Sequence, residues 1–246
     1  MSMFDRERAD RIDGMARDER LAAVSEVFLR ETVRHRYSYN FSWLGRPIIQ
    51  YPQDMVAMQE IIWSVQPDLI VETGIAHGGS LIFSAAMLEL NAICGGPADA
   101  RVVGIDIDIR AHNRAAIEAH PMFRRITMIE GSSIDTAVID QVRAIAKDRA
   151  RVLVCLDSNH THAHVLAEMQ AYAPLVAVGS YCVVFDTVVE RLPADMYPDR
   201  PWGPGDNPMT AVDAYLADHP EFVIDTAMDA KLQISVAPRG YLKRVA

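Results

Sequence analysis

Apolar positions along this chain alternate between two regimes. Short, continuous, β-branched runs are followed by longer stretches in which apolar residues return every three or four positions. The short runs fall at 69–71, 101–106, 126–129, 151–157 and 180–186. Runs of that length, apolar on both faces, suit strands covered by helices on both sides. The helical stretches fall between and before them. Leu21, Val24 and Phe28 mark a helix over 18–35, and Met55, Met58, Ile61, Ile62 and Val65 mark one over 54–66, with Asp54 as its cap. Further helices are expected from Ser80, as N-cap, to Leu90, from Ile109 onward, over 134–146, after the segment 158–164 to about 175, and over 209–218. Two last strands are expected at 222–224 and 232–236, close enough in sequence to form a hairpin-type pair. Strand and helix in strict alternation predict an α/β fold with a doubly wound, mostly parallel sheet, and the terminal pair adds one antiparallel strand.

Two segments break the alternation. Residues 37–54 are aromatic, polar and proline-bearing, which suits a lid over a ligand and equally a packed arm. Residues 192–208 form a long loop rich in proline and glycine, with Trp202 near its middle. Loops of that length inside a compact domain are often functional. The charged, amphipathic residues 1–36 read as a cap or as a contact between copies in a homo-oligomer. The expected division is therefore an N-terminal helix and arm over 1–53, then one α/β domain over 54–246.

Composition narrows the partners. The chain has 246 residues, half of them hydrophobic, enough for one large core. Its net charge of −9 disfavours a nucleic-acid partner, which needs a basic surface. No apolar run approaches the roughly 20 residues of a membrane span, and the charged start is not a signal peptide. Cys94, Cys155 and Cys182 are odd in number and unpatterned, which fits a reducing cytoplasm.

The chemistry gathers at the ends of the strands. The stretch from Asp68 to Ser80 reads as buried strand, glycine turn and helix start. Gly74, Gly78 and Gly79 allow backbone angles and a close ligand approach that a Cβ would block. The spacing Glu72-x-Gly74-x-x-x-Gly78-Gly79 is not the dinucleotide fingerprint G-x-G-x-x-G. It is similar to the first motif of class I S-adenosylmethionine (SAM) methyltransferases, an acid followed by G-x-x-x-G. Asp106 closes the second strand, where an acid accepts hydrogen bonds from ribose hydroxyls, with Asp108 as the second candidate. Ser132 falls where an adenine-edge loop would lie, although Gly131-Ser132-Ser133 is also ordinary turn chemistry. The candidate cofactor-binding set is Glu72, Gly74, His77, Gly78, Ser80, Asp106, Asp108, Ser132 and Asp157.

Glu72, Asp106, Asp157 and Asp186 end strands one, two, four and five, and in this topology those ends line one crevice. Acids so gathered repel one another unless a cation relieves them, or unless they cap the following helices. A hard divalent ion such as Mg²⁺, held by Asp157 and Asp186, would do so and would acidify a substrate hydroxyl. His160, three residues beyond Asp157, is then placed as general base. His162 and His164 either extend this site or lie on the following helix in a packing role.

These residues carry a resemblance. Residues 71–80, 104–108, 156–160 and 184–187 resemble the cephalosporin hydroxylase family, and the resemblance runs from about Tyr37 to Leu242. Despite that name, it implies a class I, Rossmann-like, SAM-dependent and magnesium-assisted O-methyltransferase. In related macrolide-sugar methyltransferases an Asp-x-x-His segment supplies metal ligand and base, and it matches Asp157 and His160. Relatives carry two adjacent acids after strand five; here the pair is Phe185-Asp186, so one ligand is missing. The resemblance also implies a small-molecule acceptor, a sugar or sugar nucleotide. Two rivals stand beside it. One is a non-catalytic SAM-binding subunit. The other is an iron-dependent oxygenase with Asp157, His160, His162 and His164 arranged as two histidines and a carboxylate.

Overall fold

The computed structural model describes residues 2–246. Two helices come first, α1 (Met3–Ala16) and α2 (Glu19–Arg34), then a small antiparallel hairpin of β1 (Phe41–Trp43) and β2 (Arg46–Ile48). After α3 (Pro52–Val65) the chain alternates through β3 (Leu69–Thr73), α4 (Gly79–Ile93), β4 (Arg101–Asp106), α5 (Ala111–Glu118), β5 (Ile126–Glu130), α6 (Thr136–Ala146), β6 (Val152–Leu156), α7 (His162–Tyr172) and β7 (Tyr181–Val184). It closes with α8 (Pro208–Asp218), β8 (Phe222–Ile224), α9 (Thr226–Leu232) and β9 (Tyr241–Arg244).

The large sheet has the order β5-β4-β3-β6-β7-β9-β8. Strands β3 to β7 pair in parallel, and β9 runs antiparallel to both of its neighbours. One strand therefore opposes the other six, as the sequence predicts. Side chains alternate across the sheet. Ile70, Val102, Leu153 and Val183 enter the core under α3 and α4. Leu69, Val71, Val103 and Val154 enter the core with α6, α7 and α8. The chain leaves β3 toward β4 and β5, then returns to add β6 on its other side. That reversal opens a crevice at the carboxyl ends of β3 and β6. The register pairs Thr73 with Leu156 and Leu156 with Val184, so Gly74, Asp157 and Phe185 emerge at one level.

Four expectations are corrected. The last strand is not at 232–236: α9 ends at Leu232, Gln233 takes φ of +61°, and β9 forms at 241–244. The apolar alternation at 232–236 belongs to a connection wrapped around Asp54. Asp54 in turn is not a helix cap. It is fully buried and accepts hydrogen bonds from Ser235 Oγ (2.6 Å), Val236 N (2.9 Å) and Tyr241 Oη (2.6 Å). Burial, only partly offset by those donors, pushes its carboxyl up to about 6. Ser80 does not cap α4; Gly78, at φ +81°, occupies that position. Finally, the amphipathic N-terminus holds two helices, because Asp18 caps α2 by accepting from Leu21 N and so separates it from α1. Helix α1 buries no residue, and its polar surface hides it from a search for apolar periodicity. Among the described residues no helix is long and apolar enough to cross a membrane.

Candidate active site

The turn after β3 is shaped by its neighbours. Asp157 N donates to Thr73 O (3.0 Å), which locks the ends of β3 and β6 together. Gly74 then takes φ of +89°, and a Cβ built on it would lie 2.0 Å from the Asp157 carbonyl oxygen. Its glycine is therefore demanded by the protein's own backbone, before any ligand is considered. Gly74→Ala is expected to cost about 3 kcal/mol, from overpacking plus a left-handed alanine. A thermal melt reads this directly, and an unchanged midpoint would show that Asp157 can move aside. Gly78 and Gly79 are pinned in the same way, against the Ile117 side chain and the Pro47 carbonyl.

Asp106 and Asp108 do not face the crevice. Asp106 Oδ2 accepts from Ile75 N (2.8 Å) and Ala76 N (3.1 Å), and its Oδ1 accepts from Asp108 N (3.1 Å). Its charge holds the glycine turn. Asp108 is exposed beside Arg110 at 3.9 Å. Ser132 also lies outside the cavity, in a turn tied to β4 by the hydrogen bond from Gly131 N to Asp106 O (2.8 Å). Two residues brace the glycine turn without having been expected to. Arg46 donates to His77 O through Nε (3.0 Å) and Nη2 (2.6 Å), and Asn113 Nδ2 donates to Ala76 O (2.9 Å). The only sequence signal for Arg46 was its place in the irregular segment before α3.

The crevice is a cavity of about 290 Å³. Gly74, His77, Ser80, Asp157, His160 and Asp186 all line it. Asp157, His160 and Asp186 each present a ligand atom within 4.8 Å of the others. His160 Nε2 lies 3.2 Å from Asp186 Oδ2. Asp186 sits at φ +55°, a conformation that non-glycine residues avoid, with aspartate and asparagine the commonest exceptions. Burial, followed by the charges of Asp186 and Glu72, pushes the Asp157 carboxyl well above the usual carboxylate range. The group is left short of positive charge, which suits a hard divalent cation with oxygen-rich ligands. His162 and His164 stand apart on α7. His162 Nδ1 meets Thr210 Oγ1 at 2.8 Å, and His164 Nε2 meets Ser133 Oγ at 3.0 Å. An iron site built from His160 with either of them is therefore not assembled.

Glu72 lies behind this group, lining a small void with Ser80 and Asp157. It is 4% exposed and accepts hydrogen bonds from the hydroxyls of Ser80 and Ser84. Burial outweighs those donors and pushes its carboxyl up to about 7. The folded protein thus holds a proton there that the unfolded chain releases from about pH 4.5 upward. Stability is accordingly lost as pH rises from about 4.5 to about 7. At ~1.4 kcal/mol per pH unit the loss amounts to about 3 kcal/mol. Glu72→Gln should flatten that dependence and raise the melting temperature at pH 8. A variant that melts like the wild-type protein at both pH 5 and pH 8 would show that Glu72 is ionised throughout.

The outer wall comes from the two irregular segments. Residues 47–51 line the cavity on one side. On the other, Trp202 meets the His160 ring edge-to-face at 5.2 Å and packs against Tyr197 at 5.1 Å. The far end of that loop is fastened by Asn207, fully buried, whose side chain caps α8 and donates to Gly203 O (2.9 Å) and to Glu190.

Comparison with known proteins bears on the family and on the fold. The protein-family description Rhamnosyl O-methyltransferase/CmcI matches residues 35–245. A protein named rhamnosyl O-methyltransferase from Mycobacterium leprae (strain TN) is 31% identical over 220 residues, covering 85% of this chain and 88% of that one. Its namesake from Mycobacterium tuberculosis (strain ATCC 25618 / H37Rv) is 30% identical over 221 residues, covering 85% and 83%. Among solved structures, the fold is similar to that of CmcI with Mg and SAM, at 23% identity and a TM-score of 0.57, over 85% of this chain and 78% of that chain. It is also similar to an O-methyltransferase from Bacillus cereus in complex with SAH, at 14% identity and a TM-score of 0.50, over 84% and 82%.

Proposed function

The chain belongs to the rhamnosyl O-methyltransferase/CmcI family, and on that premise we propose that it uses SAM to methylate a hydroxyl of a sugar. The observation that carries the reading is the convergence of Asp157, His160 and Asp186 within 4.8 Å, open to a cavity floored by the glycine turn. When bound, SAM supplies an electrophilic methyl group, and a divalent ion supplies positive charge that makes a neighbouring hydroxyl more acidic. The residues present fit both. Glu72 is a buried carboxyl without a cationic partner, suited to the ammonium end of SAM. Asp157 and Asp186 offer carboxylate oxygens to an ion such as Mg²⁺.

In this reading the chain performs three tasks. Asp157 and Asp186 would hold the ion, whose charge would make a neighbouring hydroxyl more acidic. His160 removes the hydroxyl proton as the oxygen attacks. The ring lies beside the carboxylate of Asp186, with Nε2 3.2 Å from Oδ2, and that charge stabilises the imidazolium as it forms. Trp202 and Tyr197 wall off water and give a sugar face an aromatic surface. The loss of an acid at position 185 is met by waters, or by His160 itself as a third ligand. Residues 1–53 serve as two N-terminal helices and an arm on a SAM-binding domain over 54–246, and residues 47–51 of the arm contribute to the cavity wall. A cytoplasmic location is part of the same proposal, supported by Cys155 and Cys182, buried as free thiols in strands.

The test is direct. The full chain is incubated with Mg²⁺, methyl-labelled SAM and a panel of deoxysugar glycosides and sugar conjugates. Mass spectrometry should detect one labelled, O-methylated product together with SAH. Failure of SAH to bind the wild-type protein, measured by calorimetry, would remove the reading altogether.

A further inference from the structure

The cavity does not end at Trp202. A wider groove of about 920 Å³ lies outside it, between the end of α2 and the 192–208 loop. The two share five lining residues, Val33, Arg36, Tyr39, Tyr197 and Arg200, so the groove continues the cavity through a common neck. Two of the five are arginines. Arg36 stacks over the Tyr39 ring at 6.0 Å and Arg200 over the Trp202 ring at 5.8 Å. Neither has a carboxylate within ion-pair distance among the described residues, whereas the neighbouring Arg34 pairs with Glu31. Asp195 and Asp199 line the outer groove but not the inner cavity, and they pair with neither guanidinium.

The two ends of this path differ in chemistry. The inner end holds His160 with Asp157 and Asp186, the group that the methyltransferase reading gives to the reacting hydroxyl. The neck holds Arg36 and Arg200, two cations that attract an anion. We propose that the acceptor is an anionic sugar conjugate. Its ring faces His160, its phosphate or carboxylate oxygens are held between Arg36 and Arg200, and the rest of it occupies the outer groove. The proposal deepens the methyltransferase reading and rests on it for the identity of the reacting end. Arg guanidinium forks match phosphate and carboxylate alike, so the two sources are separated by experiment.

The experiment is calorimetry on the full chain, saturated with SAH to occupy the nucleoside site, and in EDTA so that no ion bridges a diphosphate to Asp186. Three probes are titrated: uridine diphosphate, methyl glucuronide and methyl rhamnoside. At least one anionic probe should bind about tenfold or more tighter than the neutral rhamnoside, and added salt should weaken it. Binding of uridine diphosphate marks a phosphate conjugate; binding of the glucuronide alone marks a uronic acid. In the Arg36→Gln/Arg200→Gln double variant the advantage should vanish while SAH affinity is unchanged. The Arg36→Lys/Arg200→Lys variant should keep part of it. Anionic probes that bind no better than the rhamnoside overturn the proposal. So does binding that survives in the glutamine variant, or an equal loss in both variants, which would mark a packing role for the arginines. The methyltransferase reading fails separately, by absence of SAH binding in the wild-type protein.

Discussion

His160→Ala should lower kcat by about 10²–10⁴-fold, the usual worth of a positioned general base, while SAM affinity changes little. A sugar hydroxyl ionises far above neutrality, so its proton must pass to a protein group as the oxygen attacks. The histidine ring lies beside Asp186 and under the edge of Trp202, and is the one imidazole in the group that could serve the cavity as both base and ligand. His162 and His164 are engaged on α7 with Thr210 and with Ser133. The variant should also lose the limb of the pH profile on which activity rises as an imidazole gives up its proton. Near-wild-type kcat with an unaltered profile would clear His160 and turn attention to Tyr197 on the loop. The position is tolerant of the change, because the residue is partly exposed and leaves no buried partner except Asp186, which water can reach.

Much of this site was legible in the sequence because a parallel sheet obeys simple rules. A short apolar run that ends in an acid is a buried strand with a carboxylate at its carboxyl end; Asp157 and Asp186 line the crevice, and Glu72 lies behind it in a separate small void. The rule puts an acid at a strand end but does not say which way its side chain turns: Asp106 accepts from the amides of Ile75 and Ala76. Gly74 was singled out for the right backbone angle and for a ligand's approach. The Asp157 carbonyl 2.0 Å from its would-be Cβ is a contact between residues far apart in sequence, which no local pattern reveals.

The same limit explains the other misses. Asp54 stands at the start of a helix, where a capping role is the local expectation. Its real partners, Ser235, Val236 and Tyr241, come from the far end of the chain. The terminal strand was misplaced because 232–236 alternate as a strand does, whereas the pairing partner of β7 is decided by which segment the sheet edge accepts. Arg46 and Asn113 carried no periodic or motif signal, yet they clamp the turn on which the cofactor reading depends.

Removal of the divalent ion should cost several kcal/mol of transition-state stabilisation, or about 10³-fold in rate at ~1.4 kcal/mol per factor of ten. Activity should disappear in excess EDTA and return when Mg²⁺ is added back. Asp186→Asn should reproduce the loss in the presence of Mg²⁺. Asparagine tolerates the +55° φ of this position and nearly matches the size of aspartate, so the variant removes charge with little change of shape. The Mg²⁺ concentration needed for half-maximal activity then reports the role of His160. If His160 is only the base, His160→Ala should leave that concentration unchanged while kcat falls. A rise alongside that fall would mark the imidazole as a third ligand, standing in for the acid that Phe185 replaces. Full activity in a preparation shown to be free of metal would exclude the ion from the reaction. Asp157 and Asp186 would then act on His160 alone, holding the ring and balancing the charge it gains.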